Sequence, residues 1–236
     1  MKTLLFFSAI LLLPPSSIFA AATVELSTAE SPFNPGVFNQ GWYSPSVASS
    51  PTTDNYATGY FFGNDAETRG FLTFDLSGVS GNVIAARLKI RAAESDSPDG
   101  EETLDVHAVD LDAATLNART GSAKPIYDDL GSGPLLARGG FKIGQAPGGR
   151  VWIDFLPAGI AEINAKRGGF LAIGLQLGSL RLDDAQDEFV FTNSGGFANF
   201  LELTVVPEPS TITLATVSLL AVSITRRRIR PLPAPA

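Results

Sequence analysis

The chain has 236 residues, no cysteine, a single histidine and a formal net charge of −7 at pH 7. The lack of cysteine excludes a disulfide framework, a thiolate zinc site and a cysteine nucleophile. The acidic balance argues against nucleic acid as a partner, because binding to phosphates requires clustered cations.

The first 22 residues have the anatomy of a secretory signal peptide. Lys2 precedes an apolar stretch at residues 4–13, and small residues follow as far as Ala20 and Ala22. We predict cleavage after Ala22, with cleavage after Ala20 as the alternative. Residues 23–206 are then exported as one domain, which is large enough to bury a core of its own.

Aromatic side chains are concentrated ahead of the first clear strand. Trp42, Tyr43 and Tyr60 lie in or beside segments rich in Gly, Asn and Ser, where side chains are often exposed. Rings placed there would stack on sugar faces, while Asn39 and Gln40 would hydrogen-bond the hydroxyl groups. One interpretation is therefore a ligand-binding surface for carbohydrate, and the other is packing of these rings over the end of the core.

The apolar pattern of the domain has a period of two. Leu88 and Ile90 face one way, and Arg87, Lys89 and Arg91 face the other. A sheet with one dry and one wet face is typical of antiparallel packing. This alternation predicts strands at residues 71–76, 86–91, 104–109, 150–155, 170–177, 188–191 and 200–205.

One short helix interrupts the strands. Residues 157–166 begin with Pro157 and carry Ile160 and Ile163 three positions apart. Just before them, the alternation puts Trp152 on the face opposite Val151, either at a sheet edge or beneath a covering loop. Seven or more strands with a single helical turn predict an all-β fold, an antiparallel two-sheet β-sandwich or jelly roll.

A predicted hairpin carries a family resemblance. Residues 70–79 followed by residues 83–90 are similar to the opening hairpin of DNRLRE-type β-sandwiches, which are related to carbohydrate-binding modules. The strand-helix-strand stretch at residues 151–177 is compatible with the same fold. The resemblance implies the fold and transfers no binding residue, because Asp75 and Ser77 can turn the chain in any hairpin.

An acidic loop follows the hairpin. Asp96, Asp99, Glu101 and Glu102 place four carboxylates within seven residues. Calcium favours such clusters of oxygen ligands, although the twelve-residue EF-hand pattern is missing. The sequence thus offers calcium as the one candidate metal, with a solvated acidic turn as the alternative, and predicts no other cofactor.

The sequence gives little support to catalysis. His107 points to the solvent face by period two, and no Gly-x-Ser-x-Gly elbow accompanies it. The carboxylate pairs Asp183–Asp184 and Asp187–Glu188 leave a secreted hydrolase as an alternative, since a glycosidase needs two facing carboxylates. Neighbours on a strand point to opposite faces, however, so we predict a protein that is not an enzyme.

The last thirty residues form a tail with three parts. In order these are Pro207, Glu208 and Pro209, the apolar residues 211–224, and the basic Arg226, Arg227 and Arg228. A membrane span usually needs ~20 residues, but the stems of the arginines can snorkel and a thin bilayer tolerates mismatch. We therefore predict a transmembrane helix with its basic end in the cytoplasm.

This tail resembles the PEP-CTERM sorting signal, which would take up residues 207–230 and leave residues 231–236 as a short extension. Tails of this type are also described as the C-terminal segment of ice-binding proteins, yet the repetitive array that ice binding requires is not visible. The resemblance implies a Gram-negative, exopolysaccharide-producing bacterium with a membrane peptidase of the exosortase type. A plain C-terminal anchor is the alternative.

Together these features predict an exported protein of the cell surface or extracellular matrix. Its C-terminal helix would anchor it transiently in the inner membrane before processing, and its partners would be the exosortase-type peptidase and a polysaccharide. Without Lys2, the tail arginines and Glu208, the exported domain carries a formal charge of −11. Solubility is the simplest reason for that acidity. A carbohydrate-binding module and a secreted hydrolase remain as alternatives.

Overall fold

Strands account for most of the regular structure. The computed structural model describes residues 20–29, 31–61, 66–92, 94–120, 122–143, 149–180, 186–191 and 197–208. The strands are β1 (Ala22–Ser27), β2 (Gln40–Tyr43), β3 (Ala57–Phe61), β4 (Ala66–Asp75), β5 (Asn82–Arg91), β6 (Glu94–Asp96), β7 (Glu101–Ala108), β8 (Leu135–Lys142), β9 (Arg150–Asp154), β10 (Phe170–Leu177), β11 (Glu188–Phe191) and β12 (Phe200–Val206). The helices are α1 (Ala113–Ala118), α2 (Ala123–Asp129) and α3 (Pro157–Ala165).

The strands form two antiparallel sheets. The smaller sheet has four strands in the order β1-β12-β5-β9. The larger has the order β6-β11-β3-β4-β10-β7-β8, and β2 pairs with β4 beside this path. Every strand pair in the described residues is antiparallel, which confirms the predicted all-β class.

One apolar core lies between the two sheets. Leu88 and Leu203 reach it from the smaller sheet, and Leu72, Val106 and Ile173 reach it from the larger one. On β5 and β12 buried residues alternate with exposed or half-buried ones, so the predicted period of two is confirmed. Each strand therefore buries one row of side chains and leaves the other row for a second role.

The seven predicted strands and the helix at residues 157–166 are confirmed within a few residues. The expectation of a single helix is wrong, because α1 and α2 also form. Both are under two turns long, so neither shows a helical period in the sequence. A local signal does exist for α1, where the Asp112 carboxylate accepts a hydrogen bond from the Thr115 backbone N–H as an N-cap.

The two short helices build a second apolar cluster on the outer face of the larger sheet. Phe71 and Tyr43 of the sheet pack there with Leu116, Ile126 and Leu130. The contact is close enough to require a glycine in β10, because a Cβ on Gly174 would lie 2.0 Å from the Leu130 carbonyl oxygen. The larger sheet is thus covered on both faces along its middle strands.

A buried hydrogen-bond network joins the two sheets at one end. The side-chain oxygen of Gln40 accepts from the Thr28 hydroxyl and from the Asn199 amide, at 2.8 Å in each case. The Gln40 amide donates to the carbonyls of Asp54 and Phe197. Gln40, Thr28 and Asn199 are all fully buried. We refer to these contacts as the Gln40 network.

A buried arginine holds the neighbouring loops. Arg119, at the end of α1, is 5% exposed and adopts a left-handed conformation with φ of 50°. Its guanidinium donates to the backbone carbonyls of Phe38, Gln40, Ser50 and Thr53. One side chain therefore joins four backbone carbonyls, of which those of Phe38 and Ser50 also accept from backbone N–H groups.

Replacing Gln40 with Leu should destabilise the fold by about 3 kcal/mol, because buried donors and acceptors of three segments lose their partners. Urea unfolding of the purified protein measures the change. Thr52→Ala is the control, since its hydroxyl contacts the Ser50 hydroxyl at the exposed surface and its loss should change stability by less than about 0.5 kcal/mol. A Gln40→Leu effect as small as that of the control would contradict the role of the network.

Candidate functional site

The outer face of the smaller sheet carries a row of aromatic and basic side chains. Phe200, Lys89 and Trp152 are directly opposite one another on β12, β5 and β9. Trp152 is 46% exposed and lies on the edge strand β9, which is the first of its two predicted settings. We call the following residues the basic aromatic face: Arg87, Lys89, Arg91, Arg150, Trp152, Phe197 and Phe200.

The central cation of this face lies between two rings. The Lys89 Nζ is 4.7 Å from the centroid of the Trp152 ring and 5.3 Å from that of Phe200. The Arg87 guanidinium carbon is 5.9 Å from the Trp152 centroid. Cations at these distances are attracted to the ring faces. Each of the two rings thereby has a positive charge near its face.

The same arrangement continues toward one end of the sheet. The Arg150 guanidinium carbon lies 5.1 Å from the Phe200 centroid, and that of Arg91 lies 4.3 Å from the Phe197 centroid. Phe197 is 36% exposed and belongs to the loop held by the Gln40 network. The Asn199 side chain of that loop also accepts from the Arg91 backbone N–H at 2.7 Å. The buried network therefore positions two members of the face.

Acidic residues lie on the other side of the Trp152 row. Asp154 accepts from Arg87 at 2.6 Å, and this hydrogen bond raises the pKa of the Arg87 guanidinium. The Glu25 Oε2 is 3.4 Å from the Lys89 Nζ. Glu202 pairs with Arg87 across β12 and β5. Arg91 and Arg150 thus lie at one end of the face, while Arg87 and these three carboxylates lie at the other.

The structure does not bring Trp42, Tyr43 and Tyr60 onto one surface. Trp42 and Tyr43 lie on β2 and Tyr60 on β3, so the expected loop positions are wrong. Tyr43 is fully buried, and its hydroxyl donates to the Leu116 carbonyl at 3.1 Å. It packs in the cluster under α1 and α2, where no ligand can reach its ring.

The other two rings lie on different faces of the larger sheet. Trp42 is opposite Gly70 and Tyr60 is opposite Glu67, and positions 67 and 70 of β4 point in opposite directions. Asn39 and Gln40 are fully buried and support the fold instead of binding hydroxyl groups. The exposed rings are on the smaller sheet instead.

The four carboxylates of the acidic loop do not converge on a metal. Asp96 accepts from the Ser97 backbone N–H, Asp99 accepts from the Glu101 backbone N–H, and Glu101 pairs with Lys142 at 2.9 Å. In the part of the chain that the structure describes, no group of three or more acidic or histidine side chains could hold a metal ion. Each carboxylate is committed to its own local contact.

Glu102 differs from the other three because it is buried. It is 2% exposed, and one carboxylate oxygen accepts from the Ser179 hydroxyl at 2.6 Å. It lines a pocket of about 410 Å³ that also contains Asp99 and Lys142. Burial raises the pKa of Glu102, and the nearby Glu188 and Asp99 raise it further, although hydrogen bonds from Ser179 and Ser97 lower it.

Of the remaining candidates for catalysis, Glu188 lies near Glu102, while two carboxylates lie outside the described residues. His107 is half-buried, and its Nδ1 is 2.9 Å from the Gly133 carbonyl oxygen, so it is less exposed than the alternation suggests. Glu188 is buried opposite Tyr60, while Asp183 and Asp184 are among the residues outside the described ranges.

Only the beginning of the predicted sorting signal is described. Pro207 and Glu208 follow β12 and are exposed. Pro209, Arg226, Arg227 and Arg228 lie outside the described residues, as do residues 211–224 and most of the predicted signal peptide. Among the helices that the structure describes, none has the length and apolar character of a membrane span.

Sequence reasoning found Trp152 but missed its neighbours. The sequence placed Phe200 in a strand but did not indicate what it contacts. Phe197 precedes that strand in a segment without apolar periodicity. Alternation indicates which face a side chain occupies, whereas the pairing order β12-β5-β9 decides which side chains meet. That order joins residues far apart in the chain, and period alone does not provide it.

Replacing Glu102 with Gln should stabilise the protein at pH 7. Because its pKa is raised, Glu102 in the folded protein stays protonated at pH values above its ordinary pKa of 4.5. The folded state therefore loses stability relative to the unfolded state as the pH rises through that region. The gain should shrink below pH 4.5, where Glu102 is neutral in both states. Thermal unfolding from pH 4 to 8 measures it. Glu101→Gln is the exposed control, and an equal gain there would contradict the effect of burial.

Comparison with known proteins does not assign the chain to a family. No family model matches the chain, and no curated protein matches it. The basic aromatic face is therefore interpreted from its own chemistry, and the two sequence resemblances remain predictions.

Proposed function

We propose that the protein is an exported, non-catalytic β-sandwich of the cell surface or extracellular matrix that associates with polysaccharide through the basic aromatic face. The observation that carries this proposal is the exposed Trp152 ring beside Lys89 on an open sheet. A flat row of rings suits an extended chain better than a small molecule, which usually needs a concave pocket.

The chemistry of the face fits sugars. Trp152, Phe197 and Phe200 offer apolar ring surfaces that can cover the C–H faces of pyranose rings. Lys89 and the arginines offer N–H donors to the edges of the pyranose rings, where the sugar hydroxyl groups can accept hydrogen bonds. Stacking and hydrogen bonding are thus available from adjacent strands without any movement of the backbone.

Two further features support the proposal. The shared core between two antiparallel sheets is what a β-sandwich requires, and such sandwiches can leave one sheet face exposed. The N-terminal apolar segment and the tail at residues 207–230 support export and sorting through a PEP-CTERM signal. Processing by an exosortase-type peptidase would then follow transient anchoring in the inner membrane.

Replacing Trp152 with Ala should weaken association with exopolysaccharide from the native host about tenfold, the effect of losing one stacking ring. Affinity electrophoresis in gels that contain the polysaccharide measures the retardation. Trp42→Ala is the matched control, because it removes the same side chain from the larger sheet. Equal retardation of the native protein and Trp152→Ala would exclude this face.

The sorting part of the proposal has a separate test. Intact-mass spectrometry of the protein from the envelope and medium of the native host should give a chain that lacks the first ~22 residues. The same chain should lack the residues after the Pro-Glu-Pro step. A mature protein that retains Arg226, Arg227 and Arg228 would refute processing and leave a simple membrane anchor.

A further inference from the structure

We infer that a pocket on the larger sheet binds an amino sugar through its ammonium group. The pocket has a volume of about 320 Å³, and its lining includes Phe33, Asp110, Lys166 and Phe170. It lies apart from the basic aromatic face, which belongs to the smaller sheet, so the inference goes beyond the proposed function. Three observations lead to it: a pair of aromatic rings, a carboxylate without a partner, and a lining poor in hydrogen-bond donors.

The floor of the pocket belongs to the second apolar cluster. Val109 and Ala172 are buried members of that cluster, and both line the pocket. Ala172 alternates along β10 with Leu171 and Ile173, which face the core between the two sheets. The pocket therefore lies on the outer side of the larger sheet, where α1 and α2 cover it, and a ligand held there cannot also contact the basic aromatic face.

Two phenylalanine rings line the pocket side by side. The centroids of Phe33 and Phe170 are 4.9 Å apart, with an angle of 56° between the ring planes. Both side chains are half-buried, so part of each ring is accessible. The Phe33 loop is fixed, because the Ser31 hydroxyl accepts from the Phe33 backbone N–H at 3.2 Å and the Asn34 amide donates to the Asn117 carbonyl at 2.8 Å. Such rings offer apolar surface and attract cations to their faces.

An exposed carboxylate lies in the same lining. The Asp110 side chain makes no hydrogen bond or ion pair with any residue in the described ranges. Its backbone is nevertheless held, because the Asp129 carboxylate accepts from the N–H groups of Asp110 and Leu111 at 3.4 and 3.1 Å. Asp112 also lines the pocket, but both of its carboxylate oxygens accept from Thr115. Asp110 is therefore the acceptor that the pocket offers to a ligand.

The side chains of the lining favour a ligand group that only donates hydrogen bonds. Lys166 is the one cationic side chain among the described residues of the lining, and its Nζ is already 3.7 Å from the Glu162 Oε1. Apart from the two aspartates, the other lining side chains are Phe, Val, Leu and Ala, which carry no donor. A hydroxyl group both donates and accepts, whereas an ammonium group only donates. Its bond to a carboxylate is charge-assisted, and the rings attract the same charge.

The dimensions of the pocket favour a sugar ring as the carrier of this ammonium group. Pockets for small molecules have volumes of about 300–1,000 Å³, and this one is near the lower limit. The C–H face of a pyranose can cover a phenyl ring, while its hydroxyl groups remain in water at the entrance. The methylene chain of a peptide lysine is narrower and would leave more of the two rings in contact with water.

Glucosamine and N-acetylglucosamine test the inference, because acetylation removes the charge of the amine. We expect glucosamine to shift the backbone amide NMR signals of Leu111 and Ala113 in the full-length protein, purified in detergent, at pH 6. Its Kd should be at least tenfold lower than that of N-acetylglucosamine, consistent with a charge-assisted hydrogen bond. Asp110→Asn should remove this preference without changing the thermal midpoint, since the side chain is exposed. Phe170→Leu keeps an apolar side chain and should weaken glucosamine binding about threefold, the effect of losing one cation–π contact.

The controls separate the pocket from the acidic surface in general. Glu94→Gln removes one exposed negative charge from β6, outside the pocket, and should keep the preference for glucosamine. Lys166→Gln removes a like charge from the lining and should tighten glucosamine binding. Equal binding of the two sugars by the native protein, or equal losses in Asp110→Asn and Glu94→Gln, would overturn the inference. Tighter binding of lysine amide than of glucosamine would also overturn it and assign the pocket to a peptide. The Trp152→Ala test of the proposed function is independent of all these results.

Discussion

The Gln40 network is the constraint on which the rest of this structure depends. A single buried amide contacts β1 through Thr28, the segment before β12 through Phe197 and Asn199, and the loop at Asp54. Apolar contacts between the two sheets tolerate sliding better than directional hydrogen bonds do. The network therefore helps to set one register between the sheets, together with the hydrogen bond from the Leu156 backbone N–H to the Leu136 carbonyl of β8. Arg119 extends it by donating to the Gln40 carbonyl.

This buried network also reaches the surface where we place the function. Asn199 binds Gln40 on one side and the Arg91 backbone on the other, and the Phe197 carbonyl accepts from the same glutamine. Phe197 and Arg91 of the basic aromatic face are thus held through their backbone by Gln40 and Asn199, which are fully buried. A binding face with fixed side chains loses less conformational freedom when a ligand docks.

The sequence was sufficient for the strands and for the direction of individual side chains. Leu88 and Ile90 point inward, Trp152 points outward, and the Pro157 helix forms, each because a local pattern dictates it. The sequence was insufficient for Tyr43 and Gln40, since Gly-rich surroundings favour exposure. The packing of α1 and α2 buries Tyr43, whereas Gln40 is buried in its network with Thr28, Phe197 and Asn199. The burial of Tyr43 and Gln40, and the contact between Phe200 and Lys89, depend on pairing between distant segments.

The position of β12 has a mechanical consequence. This last described strand lies inside the smaller sheet, with hydrogen bonds to β1 on one side and β5 on the other, and Pro207 follows directly. Tension on the segment after Val206 therefore reaches a strand that is held by two ladders of hydrogen bonds, whereas a strand at the edge of the sheet is held by one. A tether at this point resists being pulled out of the fold.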